Sequence, residues 1–238
     1  MSGHSHWATI KHKKAKEDAK RGKLFTKLIK EITIAARLGG GDPEGNPRLR
    51  LLLDKAKEIN MPQENSTRAI KKGIGELPGQ QYEAYVYEGY GPGGIAVVLE
   101  VLTDNKNRAV SELRAVFNRK GGTLAENGAV SWMFERLGVI RIPKNLISED
   151  QLIEDLLSHE VKDIHTTEEF YEVLTDPKAI EEIKESLIRV NYKIENAEVE
   201  WVPKNTIDLD GEIKNKAYEF LSALQELDDV QDVYTNVA

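Results

Sequence analysis

The chain has 238 residues, 40% of them hydrophobic, with no cysteine. That is enough apolar content for buried cores and enough length for roughly two domains, and it excludes global disorder, a disulfide framework, a thiolate nucleophile, an Fe–S cluster and any Cys-based zinc site. The net charge of −7 hides a segregation: residues 1–75 hold 17 basic and 8 acidic residues (+9), whereas the remaining 163 hold 16 and 32 (−16). A heat-adapted composition would explain the 31% charge but not its separation; one end facing a polyanion would explain both.

Residues 1–23 are polar and strongly basic, with no apolar signal-peptide core in MSGHSHWATIKHKKAKED. From Leu24, the residues Phe25, Leu28, Ile29, Ile32, Ala35 and Ala36 form one helical stripe, which Gly39-Gly40-Gly41 ends. Asn46-Pro47 reads as an N-cap and first helical position, and Leu49, Leu52, Leu53 and Ala56 form the next stripe. A third helix carries Ala69 and Ile70 and stops at Gly73. These three helices make a small helical unit.

After Gly75 the period changes. Ala84–Glu88 alternates like a strand, Gly91-Pro92-Gly93-Gly94 reads as a tight turn, and Ile95–Leu102 is a buried strand. Asn107–Lys120 is a helix, preceded by an Asx-turn or N-cap at Asp104-Asn105, and Ala129–Phe134 (AVSWMF) is expected to be another strand. Strand 139–142, helix 149–158, strands 161–166 and 170–174, helix 178–190 and strand 192–202 follow in the order β-α-β-β-α-β, a ferredoxin-like unit of about 65 residues. Helix 213–227 and strand 230–237 end the chain. They cannot bury an apolar face alone, so they are expected to return to the strands around 82–134. The fold class is therefore α+β multidomain: a basic arm and three-helix domain (1–79), a discontinuous ferredoxin-like α/β domain (80–135 plus 205–238), and a second one (136–204) inserted in it.

The first thirty residues carry nine cations and two carboxylates, Glu17 and Asp18, a net +7. Lys11, Lys13, Lys14, Lys16, Lys20, Arg21, Lys23, Lys27 and Lys30 suit nucleic-acid phosphates, whose neutralisation releases counterions. Trp7, His6 and His12 are interleaved and suit stacking on bases. Arg68, Lys71 and Lys72 on the third helix are supporting contacts; the last two also lie where a helix dipole favours cations. His4, His6 and His12 have no acidic neighbour before Glu17, so no metal site is expected. His159 and His165 have no nucleophile in register. No catalytic constellation and no cofactor motif emerges; an enzyme would instead reveal itself by strongly shifted carboxylates in an interdomain cleft.

The blocks GHSHWATIKHKKAKEDAKRGKLFTKLIKEI, GGGDPEGNPRLR, NMPQENSTRAIKKG, YEGYGPGGIAVVLEVLTDNKNRAVSELRAVF and GG…NGAVSWMF resemble the YebC family of bacteria, whose mitochondrial relative is a translational activator of a cytochrome c oxidase subunit. The resemblance runs along essentially the full chain and is weakest over about 137–204; Lys106 and Ala125-Glu126 depart from the family pattern. It implies a three-domain cytoplasmic protein without catalytic activity. The family is described as probable DNA-binding transcriptional regulators, and some members as ribosome-associated translation factors that help elongation through proline runs. Its motif positions carry over to Lys11, Lys13, Lys14, Lys20, Arg21, Lys23, Lys27, Arg68, Lys71 and Lys72. The expected partner is nucleic acid, duplex DNA or ribosomal RNA, with the ribosome as a further candidate and no membrane or small-molecule substrate. Against operator recognition, no helix shows a set of Arg, Asn and Gln facing one groove.

Overall fold

In the computed structural model, which describes residues 21–79 and 81–238, the first stripe becomes the spine of a three-helix unit. Helices α1 (Arg21–Gly39), α2 (Pro47–Glu58) and α3 (Gln63–Gly73) bury Leu28, Ile32, Ala35, Leu49, Leu52, Ala56, Met61 and Ala69 together. Asn46 caps α2 as the sequence predicts, accepting from the Leu49 N–H at 3.1 Å, while its amide donates to the Ala35 and Gly40 carbonyls. One side chain thus closes both the end of α1 and the start of α2. The end of α3 lies hard against α1: a Cβ on Gly73 would fall 2.4 Å from the Thr33 carbonyl oxygen.

The first sheet is antiparallel, in the order β3-β1-β2-β8. Strands β1 (Glu83–Tyr90) and β2 (Ala96–Thr103) form a central hairpin, β3 (Thr123–Ala125) flanks β1, and β8 (Val230–Thr235) flanks β2. Helices α4 (Lys106–Lys120) and α7 (Gly211–Gln225) cover one face, where Phe117 and Phe220 meet edge to face at 5.0 Å over Val97, Leu99 and Val233. Such a pair adds about 0.5–1.5 kcal/mol beyond its burial. Gly89 is required beside it, since a Cβ there would lie 2.4 Å from the Phe117 ring.

The second sheet has the order β5-β6-β4-β7. It comprises β4 (Phe134–Pro143), α5 (Glu149–Leu156), β5 (Val161–Thr166), β6 (Phe170–Thr175), α6 (Ile180–Arg189) and β7 (Asn196–Pro203). The β-α-β-β-α-β order with its first and third strands in the middle is the expected ferredoxin-like arrangement. The first sheet is not: its sequential hairpin occupies the centre. The strand expected over Ala129–Phe134 is also absent. Val130 and Ser131 give their N–H groups to the Glu88 carboxylate, Ser131–Met133 forms one 3₁₀ turn, and short β3 takes the edge instead. Val130 and Phe134 still point inward, packing with Ala96, Val98 and Tyr234 on the sheet face away from the helices. Val130 and Phe134 are buried at a spacing of four with Trp132 exposed between them, the pattern of a turn, not of a strand.

The second sheet carries a buried ion network on its helix-free face. Arg141, 1% exposed, donates through Nε to Glu172 at 2.7 Å and through both Nη atoms to Glu200 at 2.5 and 3.0 Å. Removing the guanidinium would strand two carboxylates away from water. Arg141→Met is expected to lower unfolding stability by about 3–5 kcal/mol in urea titrations.

Candidate nucleic-acid interface

Helix α1 is covered on two sides. Its apolar stripe faces α2 and α3, while Lys23, Lys27 and Lys30, spaced i, i+4, i+7, share another face. That face meets the carboxyl end of α7, whose last carbonyls have no intrahelical partner and whose dipole is negative. Lys23 Nζ donates to the Glu226 carbonyl and Lys27 Nζ to the Gln225 carbonyl, both at 2.9 Å. Lys30, 6% exposed, donates to the Asp228 carbonyl at 2.9 Å and to Asp229 Oδ1 at 2.7 Å. Asp229 also receives Arg108 at 2.7 Å and Thr103 at 2.8 Å on Oδ2. Burial works against its charge, but the hydrogen bonds from Lys30, Arg108 and Thr103 prevail and hold the carboxyl below its usual range.

These contacts place three of the expected phosphate ligands. Lys30 is buried and paired with Asp229. Lys23 and Lys27 direct their ammonium groups into α7 and act first as domain clips. The signal missed in the sequence is Ile34, four residues after Lys30 and buried on the lysine side. An apolar residue there means that the side is covered.

Of the other expected residues, Trp7, Lys11, His12, Lys13, Lys14, Lys16 and Lys20 lie outside the described residues, and Arg21 opens α1. Arg68 pairs with Glu64 at 2.6 Å along α3. Lys71 and Lys72 are exposed and make no ion pair among the described residues. They sit near the far end of α1, since neighbouring Gly73 contacts Thr33 and Ala36. At 1.5 Å per residue, that is about 20 Å from Arg21, where the arm joins. The structure therefore does not bring α3's cations to the root of the arm.

Charged groups also cement the junction of the helical unit and the two sheets. Lys55 of α2 bonds Glu198 of β7 at 2.5 Å. Half-buried Glu31 of α1 has its carboxyl pushed up to about 7 by burial; Lys55 opposes this, Asp232 and Glu198 add to it, and Arg48 opposes it. Burial likewise raises Glu100, which pairs with Arg136 and accepts from Trp201 Nε1 at 3.1 Å. Of the two shifted carboxylates, Glu100 pairs with Arg136, and the positive charge of Lys55, itself paired with Glu198, acts on Glu31. Among the described residues no three His, Asp or Glu are grouped to hold a metal ion, and no helix is long and apolar enough to cross a membrane.

Comparison with known proteins places this geometry among relatives. The model of the TACO1/YebC protein N-terminal domain matches residues 5–76, and that of the TACO1/YebC second and third domain matches residues 82–237. A "probable transcriptional regulatory protein" of Chloroherpeton thalassium is 56% identical over 238 residues, spanning 100% of this chain and 95% of that one. One of Geobacter sulfurreducens is 51% identical over 236 residues, spanning 99% and 95%. The crystal structure of a conserved hypothetical protein from Aquifex aeolicus superposes with a TM-score of 0.89 at 50% identity, covering 98% of this chain and 97% of that one.

Two outcomes test the junction. Lys30→Met is expected to destabilise the protein by about 1.5–3 kcal/mol in urea, the worth of a hydrogen bond to a charged group, and to speed amide exchange in α1. For Glu31, a folded pKa of about 7 lies above the ordinary 4.5, so its contribution is fully present below 4.5 and is lost as pH rises through 7. Thermal melts should show the wild type losing stability relative to Glu31→Gln between pH 5 and 8.

Proposed function

Because the chain belongs to the TACO1/YebC family, we propose that it is a non-enzymatic, DNA-binding regulator of transcription that binds nucleic acid through its basic arm; its relatives are named probable transcriptional regulatory proteins. The observation that carries this reading is the charge segregation: +7 in the first thirty residues against −16 over residues 76–238. A chain so divided approaches phosphates arm first, because its remainder carries a net negative charge.

The fold supports a division of labour within that charge. Lys23, Lys27 and Lys30 anchor α1 to α7, which fixes the point from which the arm departs. Lys11, Lys13, Lys14, Lys16, Lys20 and Arg21 then remain for phosphate. Six such contacts give a slope of log affinity against log salt near −5 on duplex DNA. The binding is largely sequence-blind, since phosphates carry no base code. Trp7 and His12 add stacking where bases are unpaired.

A second reading is a ribosome-associated translation factor that binds ribosomal or transfer RNA and assists elongation at difficult stretches such as proline runs. The acidic remainder favours it, because a bare duplex repels that surface whereas basic ribosomal proteins would attract it. Salt-matched binding to duplex DNA and to intact ribosomes separates the two. The combined change Lys13→Glu, Lys14→Glu, Lys20→Glu and Arg21→Glu is expected to abolish nucleic-acid binding and leave the melting curve unchanged. Retained binding would remove the arm as the site.

A further inference from the structure

Trp132 of the AVSWMF segment and Tyr90 at the end of β1 form an exposed aromatic pair that the reading above does not use. Trp132 is 67% exposed and Tyr90 40%. Both donate to one acceptor, the Ala129 carbonyl oxygen, the indole Nε1 at 3.1 Å and the phenol hydroxyl at 3.1 Å. Their polar edges therefore converge, and each ring keeps surface open to solvent.

The loop beneath them is held rigidly. Glu88, 4% exposed, accepts the Gly128 N–H at 2.8 Å, the Val130 N–H at 2.7 Å and the Ser131 N–H at 2.8 Å. Burial opposes its charge, but these donors prevail and hold its carboxyl below the usual range. From the other side, Lys204 donates its backbone N–H to the Met133 carbonyl and its Nζ to the Trp132 carbonyl, both at 2.9 Å. Leaving an indole in water forfeits the burial energy of the largest side chain, yet a buried carboxylate and three backbone hydrogen bonds fix it there. Such preorganisation suits a ring whose partner arrives from outside.

The surroundings decide what kind of partner fits. Ser131 adjoins Trp132 in the chain and Lys204 bonds the Trp132 carbonyl, and both are polar. A protein hot spot sits at the centre of an apolar, water-excluding patch, whereas both of these rings are exposed. A nucleobase needs only a flat π-face, with a cation close by for its phosphate. The Lys204 ammonium, bonded to the Trp132 carbonyl, has two further N–H groups to offer.

Resting on the nucleic-acid reading, we infer that Trp132 and Tyr90 form a second contact, a stacking platform for an unpaired base. A duplex presents no free base face, so the platform selects single strands, loops or bulges, while the arm holds phosphates of either form.

The test uses the full chain with a fluorescently labelled single-stranded RNA of about 12 nucleotides and its duplex, at matched salt. Trp132→Ala is expected to weaken single-strand binding about fivefold or more, the worth of one stacked base, and to leave duplex binding unchanged. Trp132→Phe should restore most of the loss. Unchanged single-strand affinity in Trp132→Ala overturns the platform, and if ribosome co-sedimentation falls in that variant the indole belongs to a protein contact instead. Equal loss on both forms overturns it as well. A wild-type protein that binds neither form defeats the functional reading itself, an outcome distinct from failure of the platform alone.

Discussion

Helix α7 ends at Gln225, and α1 brings three ammonium groups to the carbonyls of Gln225, Glu226 and Asp228 at its end and in the turn that follows. Each partner satisfies what the other lacks: the helix end needs donors and cations, and the lysines need acceptors when taken from water. Asp229 adds a full charge at the deepest point, where Lys30, Arg108 and Thr103 converge from α1, α4 and β2. The placement of the helical unit against the first sheet follows from this contact.

The second sheet is tied in by different chemistry. The helix-free face of the first sheet buries Ala96, Val98 and Tyr234 against Val130 and Phe134, with Trp201 of β7 at the margin. Around that apolar centre stand Glu100 with Arg136 and Lys55 with Glu198. Glu31 lies among these charges, and its raised carboxyl makes the junction sensitive to protons near neutrality. A seam of this kind combines non-directional burial with ion pairs that tolerate one geometry, so it fixes both closeness and register.

Cations in a sequence are ambiguous because a lysine serves a phosphate, a carboxylate or a helix end equally well. The basic run of residues 11–30 reads as one surface when only spacing is considered. The fold divides it at the start of α1. Lys23, Lys27 and Lys30 turn to α7, and the arm keeps the rest. Ile34 marked the division, but it carries meaning only when a covering element is known to exist 190 residues away in the chain. The same limit applies to Glu88. An acid in an alternating strand reads as a solvent-facing residue, whereas here it gathers three backbone N–H groups and fixes Trp132.

Local order was set by the amino acids themselves. The Asn46 cap, the glycine stops, the 3.6-residue stripes of α1 to α3 and the β-α-β-β-α-β sequence of the second sheet all depend on neighbours within a few turns, and each arises from the residues present. The family blocks and the opposed charges of the two ends are likewise properties of the string. Tertiary structure alone decided that β1 and β2 take the centre of the first sheet, that AVSWMF turns instead of extending, and that three of the basic residues bond the end of α7 and the turn after it, with Lys30 buried. Those outcomes depend on partners brought close by folding, a carboxylate at Glu88 and a helix end at Gln225, and no local propensity encodes which distant group will arrive.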